Sequence, residues 1–324
     1  MRRLVIIVIV STVAAFVWSA NPDRPPYASS QPLPEPIIFG EGVISTGAYN
    51  LNSAFTPDGS AVYFTKSTQD ARLGVIVVSR FKKGKWQTPE VASFSGQYVD
   101  YDPFITEDGT KLFFCSDRPS PTKDKRDFDI WYVEKMTGGW SEPKNVGGPV
   151  NTPANEYYPS VAKDGTLYFS SNRPGGMGGF DIYRSRLVDG RYDEPENLGP
   201  SINTESGEID VYIAPNQSWM IFVSTRPGGL GGSDLYMSYN NNGSWTLAKN
   251  LGSPINSPSR EFCPMVSPDG KYFFFTSNRG VVLKERTSRF NSKELRNLLD
   301  APGHGLGAVY QMDMEAVHRA GRRP

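Results

Sequence analysis

One unit recurs five times along this chain, at intervals of 50–56 residues, and it constrains the fold more than any other feature of the sequence. The stretch SNRPGGMGGFDIY (171–183) has a near copy, STRPGGLGGSDLY, at 224–236. Self-similarity at such a period is the signature of solenoids, propellers and repeat arrays. The five copies, each built around a Pro-Asp-Gly-type turn, lie at 55–67, 105–119, 161–174, 213–227 and 266–280.

Each unit has the pattern of four β-strands. An apolar strand leads to the Pro-Asp-Gly-type turn, which is a hairpin signal. A second, aromatic-rich strand such as KLFFC (111–115) runs up to Ser-x-Arg, and a third carries DIW, DIY or DLY. A fourth strand follows a glycine-bearing turn, as in WSEPKNVG (140–147). Four short strands per repeat predict an all-β fold, a β-propeller with one blade per unit.

The two ends of the chain are expected to share the last blade. The fifth unit has no recognisable fourth strand after residues 305–314, whereas LPEPIIFG (33–40) matches WSEPKNVG at Glu, Pro and Gly. An N-terminal strand that completes this blade closes the ring and leaves no exposed sheet edge. The sequence therefore predicts five four-stranded blades closed by an N-terminal strand, with a six-bladed ring as the alternative.

The first twenty residues are typical of an export signal. Arg2 and Arg3 precede the apolar run 4–17, and the small residues Ser19 and Ala20 follow it. The run is short for a membrane span, so a cleaved signal is favoured over an uncleaved anchor. The predicted division of the chain is a signal peptide (1–20), a Pro-rich linker (21–32), the propeller (33–314) and a basic disordered tail (315–324).

Charge and composition argue against several classes of function. Lys plus Arg total 34 and Asp plus Glu total 34, so the chain lacks the basic excess of a nucleic-acid-binding protein. The two histidines, His304 and His318, cannot make a His-rich zinc site. Cys115 and Cys263 lie in separate apolar strands and are expected to be buried thiols. No cofactor and no metal site is predicted.

Four units carry an acidic residue at the start of the first strand and an arginine after the second. In the first unit both are replaced together, by Asn50 and Thr68. This joint loss suggests that each carboxylate pairs with the arginine of its own blade and fixes a loop against the inner strand. A ring of ligand-binding charges is the alternative interpretation. The predicted pairs are Asp100–Arg118, Glu156–Arg173, Glu208–Arg226 and Glu261–Arg279.

A further aspartate recurs before the third strand, as Asp129, Asp181 and Asp234. An aspartate beside a glycine-rich turn can accept hydrogen bonds from loop N–H groups, so these three are expected to brace their loops. Calcium would need several oxygen ligands from one loop, and the GGFD and GGSD loops each offer only one carboxylate.

The repeated PDG…F.S.R units resemble the WD40-like β-propeller repeats of the TolB type, which occur in exported bacterial envelope proteins. The resemblance covers residues 33–312. It implies a periplasmic or secreted protein. It is less informative about activity, because proteins with this fold do many different jobs.

The fifth unit departs from the repeat by an insertion of 25 residues, 280–304, before its third strand. Within it, SKELRNLLD (292–300) predicts a short helix with Ser292 as its N-cap. Long insertions at blade loops often carry function, so this helix is expected to be a cap, a docking element or a packing element on the face of the arginine loops.

The favoured interpretation is a monomeric, non-catalytic propeller. It would bind a protein or a cell-envelope polymer on the face formed by the arginine loops and the PVNT, SINT and PINS connections. The alternative is a glycan-acting hydrolase, because glycoside hydrolysis needs only two carboxylates. Asp102 and Asp210, expected at the channel mouth, are the candidates. They are less regular than the other acids, since the equivalent position holds Asn52, Tyr158 and Cys263.

Overall fold

The computed structural model describes residues 25–120, 127–280 and 289–322. Within these ranges each repeat forms one antiparallel blade, so the prediction of a five-bladed propeller is confirmed and the six-bladed alternative is wrong. The predicted signal peptide (1–20) lies outside the described residues. None of the helices in the described part is long and apolar enough to cross a membrane.

In blades one to four the paired strands follow one another outward from the propeller axis in chain order, and blade three has an additional, separate two-stranded hairpin. Blade one contains β2 (Tyr49–Phe55), β3 (Ala61–Ser67), β4 (Gly74–Lys82), β5 (Lys85–Trp86) and β6 (Glu90–Val91). Blade two contains β7 (Asp100–Ile105), β8 (Lys111–Ser116), β9 (Asp129–Met136), β10 (Gly139–Trp140) and β11 (Lys144–Asn145). Blade three contains β12 (Glu156–Val161), β13 (Leu167–Ser171), β14 (Asp181–Ser185), β15 (Leu187–Val188), β16 (Arg191–Tyr192) and β17 (Glu196–Asn197). Blade four contains β18 (Glu208–Ile213), β19 (Trp219–Ser224), β20 (Asp234–Asn241), β21 (Ser244–Trp245) and β22 (Lys249–Asn250).

Blade five is completed by the N-terminal strand, as predicted. Its sheet order is β1 (Ile37–Ile38), β25 (Ala308–Asp313), β24 (Tyr272–Ser277) and β23 (Glu261–Val266), and Ile38 pairs with Tyr310. The innermost strands β2, β7, β12, β18 and β23 contact one another in sequence, and β23 contacts β2. The ring is therefore closed by packing of the last blade against the first.

The outermost strand is less regular than the repeat predicts. In blades one, two and four it is split into two dipeptides that both pair with the third strand, for example β10 and β11 with β9. In blades one and two the break coincides with Pro89 and Pro143, because proline has no N–H to donate to the ladder.

Residues 25–32, the described part of the predicted Pro-rich linker, are irregular in backbone and pack against the propeller. The Tyr27 side chain is buried, and its ring packs edge-on against Phe55 of blade one and Phe274 of blade five. Gln311 Nε2 donates to the Tyr27 carbonyl oxygen at 2.6 Å. The segment therefore helps to join the first and last blades.

The prediction of a disordered tail from residue 315 is wrong over its described part. Residues Met314–Gly321 form helix α2, which buries Val317 and Ala320 against the propeller. Apolar residues at i and i+3 give this short basic segment one buried face, which outweighs its charge.

The predicted helix in the blade-five insertion is present as α1 (Ser292–Asp300). Its N-cap is Asn291 rather than Ser292. The Asn291 side chain accepts from the Glu294 N–H at 2.9 Å, and the Glu294 carboxylate accepts from the Asn291 N–H, which forms a capping box.

Candidate functional site

The inner strands all begin on one face of the propeller, here called the entry face. The structure places each recurrent arginine of this face against the acidic residue of its own blade. The nitrogen–oxygen distances are 2.8 Å for Arg118–Asp100, 3.3 Å for Arg173–Glu156, 3.2 Å for Arg226–Glu208 and 3.2 Å for Arg279–Glu261. All four carboxylate side chains are completely buried.

Internal partners occupy the polar atoms of these pairs. In blade three, Glu156 accepts from the Thr152 N–H and hydroxyl, from the Ser171 hydroxyl and from Arg173. Arg173 also donates to the Val150 carbonyl oxygen. Blades four and five repeat this pattern. Because these groups are already satisfied, the pairs serve the fold and are poor candidates for ligand contacts.

The PVNT, SINT and PINS connections are also structural at their centres. Asn203 is fully buried, and its amide accepts from the Ile182 N–H at 2.8 Å and donates to the Ile182 carbonyl at 3.0 Å. Asn151 and Asn256 make the same double hydrogen bond to the third strands of their blades. These asparagines therefore recur because each one hydrogen-bonds to a strand. From the sequence, their connections had instead been placed on a binding face.

The three recurrent aspartates contact their own blades. Asp181 accepts from the N–H groups of Met177 and Gly178 and from the Asn197 amide, and Asp234 has the same set of partners in blade four. Asp129 accepts from the Asn145 amide at 2.9 Å. Asp181 and Asp234 thus lie where bracing of the glycine-rich loops requires them.

A second ring of residues, two positions further along each inner strand, lines the propeller axis. It consists of residues with positive φ at a β-bulge: Asn52, Asp102, Tyr158, Asp210 and Cys263. The Tyr158 hydroxyl of blade three donates to the Pro264 carbonyl of blade five at 2.8 Å. These blades are not neighbours, so the tyrosine spans the axis. We call these five residues the axial ring.

The axial ring contains both sequence-predicted catalytic candidates. The Asp102 carboxylate accepts from Cys115 Sγ at 3.3 Å, and Asp210 accepts from the Cys263 N–H at 3.0 Å. Each aspartate is 9% exposed, so both are largely buried rather than open at a channel mouth, where the sequence predicts them. The bulge is what turns an inner-strand residue towards the axis.

Burial raises the pKa of both carboxyls, and their different neighbours make the two rises unequal. Burial, with the negative charge of Asp210, raises the pKa of Asp102 to about 8. Burial also raises the pKa of Asp210, but only to about 6, because the Cys263 N–H and the positive charge of Arg260 favour its ionised form. Both carboxyls therefore have a pKa above the ordinary range of an aspartate, and that of Asp102 is raised more than that of Asp210.

Half-buried aromatic side chains pack against the buried cluster that contains Tyr158 and Cys263 of the axial ring, or against one another: Tyr49, Phe128, Tyr157, Phe180 and Phe262. Ring centroids are 6.3 Å apart for Tyr49–Phe262, 5.0 Å for Phe128–Tyr157 and 5.7 Å for Tyr157–Phe180. We call them the aromatic rim. Tyr49 lies close enough to Asp210, and Tyr157 to Asp102, for these charges to help raise the tyrosine pKa values.

Across the described ranges, no group of three or more His, Cys, Asp or Glu side chains could hold a metal ion. Both cysteines are buried free thiols there. The arrangement at the axis can therefore supply a proton donor, a proton acceptor and apolar stacking surfaces from its own side chains.

The raised pKa of Asp102 makes a prediction about stability. Between its unfolded value near 4 and about 8, the folded protein binds more protons than the unfolded chain, so this group lowers stability as pH rises. At pH 8 the free energy of unfolding of Asp102→Asn, measured by urea denaturation, is expected to exceed that of wild type by on the order of 3 kcal/mol. The gain is expected to be smaller at pH 5. Asp108→Asn is the control, because hydrogen bonds from Thr106 and Thr110 lower the pKa of Asp108. If the free energy of unfolding changed with pH equally in wild type and in Asp102→Asn, the raised pKa of Asp102 would be contradicted.

Comparisons with known proteins show no family for this chain. No family model matches the chain, and no curated protein matches it. Among solved structures, it is similar to a thermostable family-43 glycoside hydrolase (13% identity, 83% of this chain and 89% of that chain, TM-score 0.49). It is also similar to an α-L-arabinofuranosidase from Lactobacillus brevis (13% identity, 84% and 92% covered, TM-score 0.46). The TolB-type resemblance stays a prediction.

A third similar structure is prolyl oligopeptidase B from Galerina marginata (12% identity, TM-score 0.42), of which the match covers 70% of this chain and 30% of that chain. The chain thus spans about a third of the length of such peptidases. Several of these structures are enzymes, but likenesses at this identity concern the fold alone.

Proposed function

We propose that the protein hydrolyses a glycan, with Asp102 and Asp210 as its catalytic residues. The observation that carries this proposal is the presence of two largely buried aspartates at bulge positions of the axial ring, where burial raises the pKa of Asp102 to about 8 and that of Asp210 to about 6. A protonated acid beside an ionised carboxylate is the combination that glycosidic cleavage requires. The pair is also singular among the repeats, unlike the satisfied ion pairs at the strand starts.

Asp102 and Asp210 would each carry out one of the two proton transfers of the hydrolysis. Asp102 would donate its proton to the glycosidic oxygen as the bond from that oxygen to the anomeric carbon breaks. Asp210 would accept a proton from the water whose oxygen forms the new bond to that carbon. The products are two shorter sugars, and the net proton returns from Asp210 to Asp102 through solvent.

The aromatic rim supports a carbohydrate as the substrate. Apolar faces of sugar rings pack on aromatic side chains, and the rim supplies such rings next to the axial cluster. The four recurrent ion pairs of the entry face are internally satisfied, so they offer a charged polypeptide few contacts.

A second candidate function is binding of a protein or a cell-envelope polymer on the same face without turnover. It is favoured by one observation, the 9% exposure of each axial carboxyl, which limits direct contact with a bulky polymer. An exported protein, as the N-terminal sequence predicts, would meet such polymers. Export and a monomeric state remain part of the proposal.

The test is release of reducing ends from a panel of plant, algal and bacterial polysaccharides by the purified protein. We expect turnover of at least one polysaccharide, with an optimum between pH 6 and 8 because the base must be ionised and the acid protonated. Retention of a panel member on immobilised protein without any reducing-end release would overturn the hydrolase and support the second candidate.

A further inference from the structure

Arg260 breaks the repeat at the edge of the aromatic rim. It stands one position before the acidic start of β23, where the other blades carry Tyr49, Val99, Asn155 and Gly207. Its side chain is exposed, and its guanidinium lies 6.0 Å from the centre of the Phe262 ring. No described carboxylate lies within ion-pair distance of it, in contrast to the four recurrent arginines.

The stem of the Arg260 side chain lies next to Gly232 in the glycine-rich loop of blade four, and its guanidinium lies beside Phe262 of blade five. Burial raises the pKa of Asp210 and of Tyr49, and the positive charge of Arg260 opposes both rises. Tyr49 and Phe262 stack at 6.3 Å with planes 27° apart. A cation and two aromatic rings therefore share one edge of the channel.

Blade one adds a second positive charge without an ion pair in the described residues. Lys66 pairs across the strands with Asn50, at the position where the other blades place the serine that contacts the arginine. It is half-buried, and burial lowers its pKa. A partly desolvated ammonium without a carboxylate partner is stabilised when an anion binds nearby.

The axial ring also holds an unused donor. The Asn52 side chain is 1% exposed, and its Nδ2 has no hydrogen-bond partner among the described residues. Its Oδ1 is occupied by the Ser53 N–H. A buried amide donor without a partner costs free energy unless a ligand or water accepts from it. This donor belongs to blade one, on the same side as Tyr49.

We propose that the entry face recognises an acidic sugar, with Arg260 binding its carboxylate and the Tyr49–Phe262 pair stacking on its ring. The substrate class is a polysaccharide that contains uronic acids. This inference rests on the proposed function for the identity of the ligand as a glycan. A guanidinium binds a carboxylate through two parallel hydrogen bonds, so Arg260 is a specificity residue and has no part in the proton transfers.

The experiment compares hexasaccharides of galacturonic, mannuronic and glucuronic acid with their methyl esters. The esters keep the sugar and the linkage and remove the negative charge. Calorimetry would measure binding to the full chain carrying Asp102→Asn, so that turnover does not consume the probe. We expect at least one acid to bind more tightly than its ester at low salt. Arg260→Gln should weaken acid binding by about 10- to 100-fold and leave ester binding unchanged.

Arg72→Gln is the matched control, because Arg72 lies in the β3–β4 loop, is highly exposed and already contacts Asp70 at 3.3 Å. It should leave both affinities unchanged. The inference is overturned if acid and ester bind alike, if no acid binds, or if Arg260→Gln leaves the preference intact. Arg260-dependent acid binding without reducing-end release would overturn the hydrolase alone. Turnover of neutral glycans that is insensitive to Arg260 would overturn the acidic-sugar inference alone.

Discussion

Asp102→Asn and Asp210→Asn are each expected to lower the turnover of a cleaved polysaccharide by about 10²- to 10⁴-fold. Asparagine keeps the shape of the side chain, but it can neither release a proton to the leaving oxygen nor accept one from water. The measurement is the initial rate of reducing-end release at pH 7. The double variant should lose little more than the worse single variant, because acid and base act in one step.

The control for this loss is Glu205→Gln, which removes an exposed carboxylate from the loop before β18 and should keep the wild-type rate. Circular dichroism and thermal unfolding of each variant show whether the propeller is intact. A folded Asp102→Asn or Asp210→Asn protein with wild-type turnover would exclude these residues as the catalytic pair.

Arg226→Ala is expected to lower the free energy of unfolding by about 3–5 kcal/mol. The substitution leaves the completely buried Glu208 carboxylate without its cation, although Thr204 and Ser224 still donate to it. It also removes the hydrogen bond to the Ile202 carbonyl that holds the preceding connection. Urea denaturation measures the change.

The same substitution at Arg319 is the comparison, because Arg319 contacts Glu315 at 2.7 Å with both side chains largely exposed. Arg319→Ala should cost less than about 1 kcal/mol, since water screens such a pair. Equal costs at Arg226 and Arg319 would remove the structural role assigned to the recurrent pairs.

The structure separates two kinds of position within one repeat. Positions that hold the same residue type in most blades, such as Asn203 and Glu208, are buried and hydrogen-bonded within their own blade. Positions that differ from blade to blade, such as Asp102 and Arg260, face the axis or the mouth. Each blade must meet the same packing demands, whereas a ligand contacts each blade differently.

The roles of the recurrent positions could be predicted from the sequence. Joint replacement at Asn50 and Thr68 indicated the pairing of carboxylate with arginine, and the match of residues 33–40 to an outer strand indicated how the ring closes. It also selected Asp102 and Asp210 by their irregularity. No role for Arg260 or for the unpaired amide of Asn52 was predicted from the sequence. Both residues differ from those at the equivalent positions of other blades, so the same criterion would have selected them.

The sequence by itself determined the number of blades, their strand order and the closure by the N-terminal strand, because each of these follows from local patterns that recur at a fixed period. Only the tertiary structure decided what the carboxyls can do. The difference between the pKa values of Asp102 and Asp210 arises from burial and from groups such as Cys263 and Arg260, which lie 53 and 50 positions from Asp210 in sequence. Such neighbours meet only when the ring closes, because the interactions that shift a pKa depend on distance in space.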